Sequence, residues 1–154
     1  MATWIEPIYD RSQADVDRIK VLNTKGYFNL TDDEKTEWFL DSKGTLNASD
    51  LTRLENNIKV IYDMLGENVE QATVPELPTV SYYSALRERV ADVRAKTYAY
   101  LYSKTVPTQP LNHYEKWNDI ERILFDAHKV LDDSTKAFLY AMADAELYCD
   151  DRII

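Results

Sequence analysis

The chain has 154 residues, of which 45% are hydrophobic, and its 27 acidic and 18 basic residues give a formal net charge of −9. This apolar fraction predicts a folded chain with its own core rather than intrinsic disorder. The negative charge argues against binding to a nucleic-acid backbone or an anionic membrane surface, since both need clustered Lys and Arg. The chain has only three glycines, which disfavours a turn-rich β-sandwich. Its single cysteine, Cys149, leaves no intrachain disulfide, which suits synthesis in a reducing cytosol. No stretch reaches the roughly 18–20 apolar residues of a membrane span.

Residues 1–11 are predicted to form an extended N-terminal arm, because Pro7 disfavours a helix there. An apolar arm must pack on something, either on the bundle of its own chain or on a neighbouring subunit. The second alternative makes four arm residues candidates for contact between subunits: Trp4, Ile5, Ile8 and Tyr9.

Residues 12–66 are predicted to form a first helical unit that begins with two short helices. Ser12 is a plausible N-cap for a helix to about Thr24. Thr31 and Glu34 have the spacing of a capping box, which predicts a second helix to about Ser42.

The third helix of this unit has the clearest pattern in the chain. It lies in the stretch from Leu46 to Leu65, with Asn47 as N-cap and Gly66 directly after its end. Its apolar residues follow each other at steps of 3, 4, 3 and 4, which places them on one face of a helix: Leu51, Leu54, Ile58, Ile61 and Leu65.

Residues 67–80 have two prolines, several β-branched residues and no helical periodicity, which is typical of a linker and of a subdomain boundary. Residues 81–131 are then predicted to form a second helical unit. One helix runs from about Tyr82 to Ser103, and another from Asn112 to about Leu131.

The last of these helices repeats the spacing of the third one. Its face consists of Trp117, Ile120, Leu124, Ala127 and Leu131. At an offset of 66 residues Leu51 aligns with Trp117 and Glu55 with Glu121, which suggests a duplicated helix-hairpin. The fold class predicted from these patterns is mainly α, a small helical bundle built from two helix-hairpin units.

The C-terminal tail, residues 132–154, is ambiguous. Ser134 can cap a helix through Leu147, but alternating apolar residues also fit a short β segment or hairpin. Four tail residues complete the candidate protein contacts: Leu147, Tyr148, Ile153 and Ile154.

The sequence gives no positive sign of catalysis, of a metal site or of a cofactor. His113 and His128 are fifteen residues apart on one predicted helix, so a rise of about 1.5 Å per residue separates them by roughly 22 Å. Cys149 is followed by Asp150 and Asp151, which oppose formation of a thiolate. No phosphate-binding glycine loop, nucleophile elbow or calcium-loop spacing is present.

Two segments resemble structural proteins of tailed bacteriophages that infect Gram-positive hosts. They read GTLNASDLTRLENNIKVI, residues 44–61, and PLNHYEKWNDIERIL, residues 110–124. The segment before the first one, with Trp4, the pair Asp10–Arg11 and the pair Asp15–Val16, is similar to the lead-in of the same family.

The resemblance implies a virion component of the tail or baseplate, made in the host cytoplasm, with no catalytic residues. The implied partners are other virion proteins or further copies of the chain in an oligomer or ring, with neither nucleic acid nor membrane. The alternative from the residues alone is a cytosolic helical adaptor or regulator that binds a partner helix in a groove between its hairpins.

Overall fold

The structure is a computed structural model that describes residues 2–40, 42–97 and 103–149, with residues 140–149 described through their backbone only. It contains five α-helices: α1 (Gln13–Lys25), α2 (Asp32–Phe39), α3 (Ala48–Met64), α4 (Val80–Lys96) and α5 (Tyr114–Cys149). A short 3-10 helix, Tyr27–Asn29, joins α1 to α2. No strand occurs within the described ranges, and the predicted mainly α, small helical bundle is confirmed.

The main core forms where α3, α4 and α5 pack against one another. The predicted face of α3 is buried, apart from Leu65, which is partly exposed at the end of the helix. Leu86, Val90 and Val93 cover this face from α4, and Ile120 and Leu124 from α5. Each fully buried aliphatic side chain of this kind contributes about 1.5–3 kcal/mol relative to an exposed one. The 3-4 spacing was therefore a reliable guide to the core.

Helix α1 forms a second, smaller cluster with the segment before α2, in which Ile19 and Leu22 pack against Leu30. The predicted capping box begins α2, because the Thr31 hydroxyl accepts a hydrogen bond from the Glu34 N–H at 3.2 Å while the Glu34 carboxylate accepts one from the Thr31 N–H at 3.1 Å. Ser12 caps α1 as predicted, and Asp15 completes a capping box there. Capping of their N-terminal ends thus stabilises the two short helices, which bury few apolar side chains.

Two helix boundaries differ from the sequence prediction. Helix α4 ends at Lys96, where the Thr97 hydroxyl donates to the Val93 carbonyl, rather than near Ser103. Helix α5 does not stop near Leu131 but continues to Cys149, so the described part of the tail is helical rather than β. Neither glycine nor proline interrupts α5. The ion pair Lys129–Asp133, at 3.2 Å, crosses the predicted boundary, and Asp132–Lys136, at 2.6 Å, lies directly after it. Such pairs at spacing i, i+4 support a continuous helix.

The segment predicted as a linker crosses from α3 to α4 with neither helix nor strand, and Val69 and Val74 pack on the core. Helix α3 therefore shares one core with α4 and α5 on the far side of the linker, while α1 forms a separate cluster with Leu30. No described helix is long and apolar enough to cross a membrane.

Gly44 allows the α2–α3 loop to touch α1. A Cβ atom at this position would overlap the Asp15 carbonyl and the Ile19 side chain. We expect Gly44→Ala to lower the free energy of unfolding by about 1–3 kcal/mol, the usual cost of forcing extra atoms into a packed contact. Urea unfolding followed by circular dichroism measures it, and Gly44→Val should lose more; equal stability of all three proteins would contradict the close contact.

Candidate functional site

Four charged side chains meet inside the bundle, between the N-terminal arm and helices α3 and α5. Arg11 of the arm lies 2.9 Å from an Asp50 oxygen and 3.4 Å from a Glu121 oxygen. Arg53 of α3 contacts the same two oxygens, at 2.6 Å from Asp50. None of the four residues is more than 8% exposed. We call this set of two arginines and two carboxylates the charge cluster.

In the charge cluster, the energetic cost of burying the charges opposes the attraction between the arginines and the carboxylates. Burial raises the pKa of the Glu121 carboxyl, and Arg53 and Arg11 only partly offset this effect. Burial also acts to lower the pKa of Arg53, but the carboxylates of Glu121 and Asp50 outweigh it and the pKa is raised. Glu121 Oε2 and Arg53 Nε are buried without a hydrogen-bond partner. The cluster therefore depends on each of its charges being present.

A second buried glutamate has a similar environment. Glu55, which the 66-residue offset aligns with Glu121, is 1% exposed and pairs with Arg89 of α4. It also accepts a hydrogen bond of 3.0 Å from the Tyr82 hydroxyl, whose pKa is raised by burial and by this carboxylate. Both aligned glutamates are thus buried and paired with arginine, while the duplication of the unit stays a prediction.

Two asparagines hold the backbone of the arm. The Asn57 side chain accepts from the Ile5 N–H at 3.0 Å and donates to the Ile5 carbonyl at 2.7 Å. Asn118 makes the same pair of bonds with Arg11, at 3.2 and 2.8 Å. Each asparagine therefore acts like a residue of a neighbouring strand, and together they fix an extended segment that has no strand to pair with.

The arm lies on the bundle of its own chain. Trp4 stacks on His128, with ring centroids 3.9 Å apart, and Tyr9 packs against Phe125 with Arg122 over its ring. Burial lowers the pKa of His128. Since Trp4 contacts α5 near its middle and Arg11 contacts it nearer its start, the arm runs antiparallel to α5.

Of the predicted contact residues in the arm, three pack at least partly within the chain. Trp4, Ile8 and Tyr9 are partly buried, while Ile5 keeps 45% of its surface exposed. A role for these four residues between subunits stays a prediction. The side chains of Leu147 and Tyr148 lie outside the described part of the structure, as do Ile153 and Ile154.

An exposed group of apolar side chains at the α1–α2 hairpin was not predicted. Its members are Tyr27, Phe28, Trp38, Phe39 and Leu40, which we call the aromatic patch. Phe28 is 94% exposed and Phe39 is 68% exposed, and Tyr27 touches the rings of Phe28, Trp38 and Phe39. Four aromatic residues within thirteen positions, on helices too short to bury them, were the signal in the sequence.

Within the described ranges no group of three or more His, Cys, Asp and Glu side chains is placed to hold a metal ion. His113 has a mostly exposed side chain, 3.7 Å from Glu115. Comparison of the chain with protein-family models, curated proteins and solved structures finds no match.

Removing one charge from the charge cluster should be strongly destabilising. We expect Glu121→Gln to lower the free energy of unfolding by about 3 kcal/mol, because two buried arginines then share the single carboxylate of Asp50. Urea unfolding measures the change. The matched control is Glu115→Gln on the same helix, where an exposed carboxylate should matter by less than about 0.5 kcal/mol. Equal effects would show that burial of Glu121 is not what makes it important.

The hydrogen bonds that Asn57 and Asn118 make with the arm should be lost independently of each other. In Asn57→Ala we expect faster hydrogen exchange at the Ile5 amide, and in Asn118→Ala faster exchange at the Arg11 amide, because each loses its own acceptor. Each variant is the control for the other, and amide exchange followed by NMR distinguishes them. Equal acceleration at both amides in either variant would contradict independent fixation of the two ends.

Proposed function

We propose that the chain is a non-enzymatic structural component of a bacteriophage virion, in the tail or baseplate, which assembles through exposed surfaces of a rigid helical bundle. Its partners are other virion proteins or further copies of itself in an oligomer or ring. It is made in the host cytoplasm and ends in the particle. The proposal starts from the resemblance of residues 44–61 and 110–124 to structural proteins of tailed phages.

The observation that carries the proposal is what the resembling segments do in the fold. Asp50 and Arg53 lie in the first segment and Glu121 in the second, and Arg11 belongs to the lead-in. These four residues form the charge cluster. Asn57 and Asn118, which hold the arm, also lie in the two segments. These residues of the resembling segments thus build a buried framework, which supports the proposal of a structural component.

The aromatic patch is the surface through which assembly would proceed. Contiguous exposed apolar side chains are uncommon on proteins that act alone, and aromatic residues are enriched where proteins meet. The charged residues around the patch pair with one another: Arg18 with Glu37 at 2.6 Å, and Lys35 with Asp32 at 3.2 Å. The patch therefore presents an apolar centre with a charged rim, which is the usual anatomy of an interface.

The alternative function, a cytosolic adaptor that binds a partner helix, requires an open apolar groove between the hairpins. The groove between α3 and α5 is where Arg11 and the arm lie. This arrangement favours the structural role over the adaptor role.

The experiment is peptide mass spectrometry of gradient-purified phage particles, with copy number measured against the major capsid protein. A fixed, small copy number is the expected result. If the protein is abundant in infected cells but missing from particles, the proposal is wrong.

The aromatic patch is tested in the same particles. Phe28→Ser should leave the folded bundle unchanged, because this side chain is almost fully exposed, but should lower incorporation at least severalfold. Leu77→Ser is the control, since Leu77 is 82% exposed on the α3–α4 connection. Normal incorporation of the Phe28 variant, or equal loss in both, would remove the patch from the assembly surface.

A further inference from the structure

A pocket lies where the α1–α2 hairpin meets the main core, and it has a volume of about 460 Å³. Its walls come from α1, the α2–α3 loop, α4 and the beginning of α5. Ligand sites commonly have volumes of about 300–1,000 Å³ and occur between packing units. The pocket thus has the size and the position of a small-molecule site.

The apolar part of the pocket contains three rings and three aliphatic side chains: Tyr83, Tyr114, Trp117, Val16, Leu46 and Leu111. Tyr83 meets Trp117 edge to face, with ring centroids 5.8 Å apart. The Trp117 indole N–H donates to the Leu111 carbonyl at 3.2 Å, which fixes the ring against the wall. A flat or apolar body of a ligand can therefore lie against an ordered aromatic surface.

The polar part of the pocket is basic. Lys20, Lys43 and His113 contribute to the lining, and none of the described lining residues is Asp or Glu, although the chain has 27 acidic residues. The acidic partners of the two lysines, Asp17 and Asp10, are not lining residues. Since exposed ion pairs in water are weak, the ammonium groups are free to turn towards an anion.

A second, larger cavity differs from this pocket in having acidic as well as basic lining residues. It has a volume of about 830 Å³ and is lined by Lys104 and Arg122, but also by Asp119 and Asp126. Lys104 lies 3.4 Å from Asp119, and Arg122 lies 3.1 Å from Asp126. This cavity therefore has carboxylates among its own lining residues, whereas the described lining of the first pocket has none.

We propose that the pocket between α1 and α5 binds a small anion carried on a flat or apolar body, of the class of aromatic carboxylates and phosphate monoesters. The rings and aliphatic side chains hold the body, and Lys20 and Lys43 hold the charged oxygens. A bound ligand bridges the α1–α2 hairpin and the main core, so it also stiffens the junction between them. This role is independent of assembly in a virion.

The experiment is a titration of the full chain, followed through the indole N–H signals of its three tryptophans by NMR. Phenyl phosphate is the probe, benzyl alcohol supplies the ring without the charge, and inorganic phosphate supplies the charge without the ring. The three tryptophans report on different places: Trp117 on the pocket, Trp38 on the aromatic patch and Trp4 on the arm. We expect phenyl phosphate to shift the Trp117 signal in a saturable way and to bind at least about tenfold tighter than either partial probe, because charge and ring contacts act together.

The matched variants are Lys20→Gln with Lys43→Gln in the pocket, and Lys104→Gln in the other cavity. The pocket variant should weaken phenyl phosphate about tenfold while leaving benzyl alcohol unchanged, and Lys104→Gln should leave both unchanged. The proposal is overturned if no saturable shift occurs at Trp117, if Trp38 responds instead, or if the two variants lose affinity equally. It is also overturned if benzyl alcohol binds as tightly as phenyl phosphate.

Discussion

The fold depends most on the buried charges at Arg11, Asp50, Arg53 and Glu121. Taking an ion out of water costs several kcal/mol even after the protein relaxes, so a buried charge is tolerated only beside a partner of opposite sign. In this chain two arginines and two carboxylates alternate within hydrogen-bonding distance. One of the four comes from the arm, one from α5 and two from α3. These ion pairs therefore connect three segments of the chain: the arm, α3 and α5.

The N-terminal arm contributes to the stability of the fold because it supplies one of these charges, Arg11. Without Arg11, the carboxylates Asp50 and Glu121 would have only Arg53 between them, in surroundings that exclude water. Asn57 and Asn118 then fix the backbone on either side of the arm's proline, and Trp4 covers His128. The extended arm is thus held by ion pairs and hydrogen bonds as well as by packing of its apolar side chains.

Much of the fold could be predicted from the sequence, because helix periodicity and capping are local properties. The spacing from Leu51 to Ile61 and the pair Thr31–Glu34 identified α3 and α2 without knowledge of any partner. The continuation of α5 past Leu131 was missed because Ser134 also fits an N-cap, and periodicity alone does not exclude a new helix or a strand.

The candidate site could be predicted much less, because it depends on contacts distant in sequence. Arg11 and Glu121 are 110 positions apart, and nothing local to either residue indicates that they meet. The aligned glutamates at 55 and 121 were visible in the sequence, but an alignment does not reveal burial. The pocket was not predictable either, since its walls come from four separated segments. The aromatic patch is easier to predict than the charge cluster or the pocket, because short helices with adjacent aromatic residues cannot bury all of these side chains.

The most direct test of the central role of the charges is a double-mutant cycle between Arg11 and Asp50, with Arg11→Met and Asp50→Leu measured by urea unfolding. Each single change leaves an unbalanced buried charge, whereas the double change removes one cation and one anion together. We expect the double variant to be more stable than the sum of the single losses predicts, by about 1–3 kcal/mol. Strict additivity of the two losses would contradict the account, because it would show that the arm is held by packing and hydrogen bonds alone.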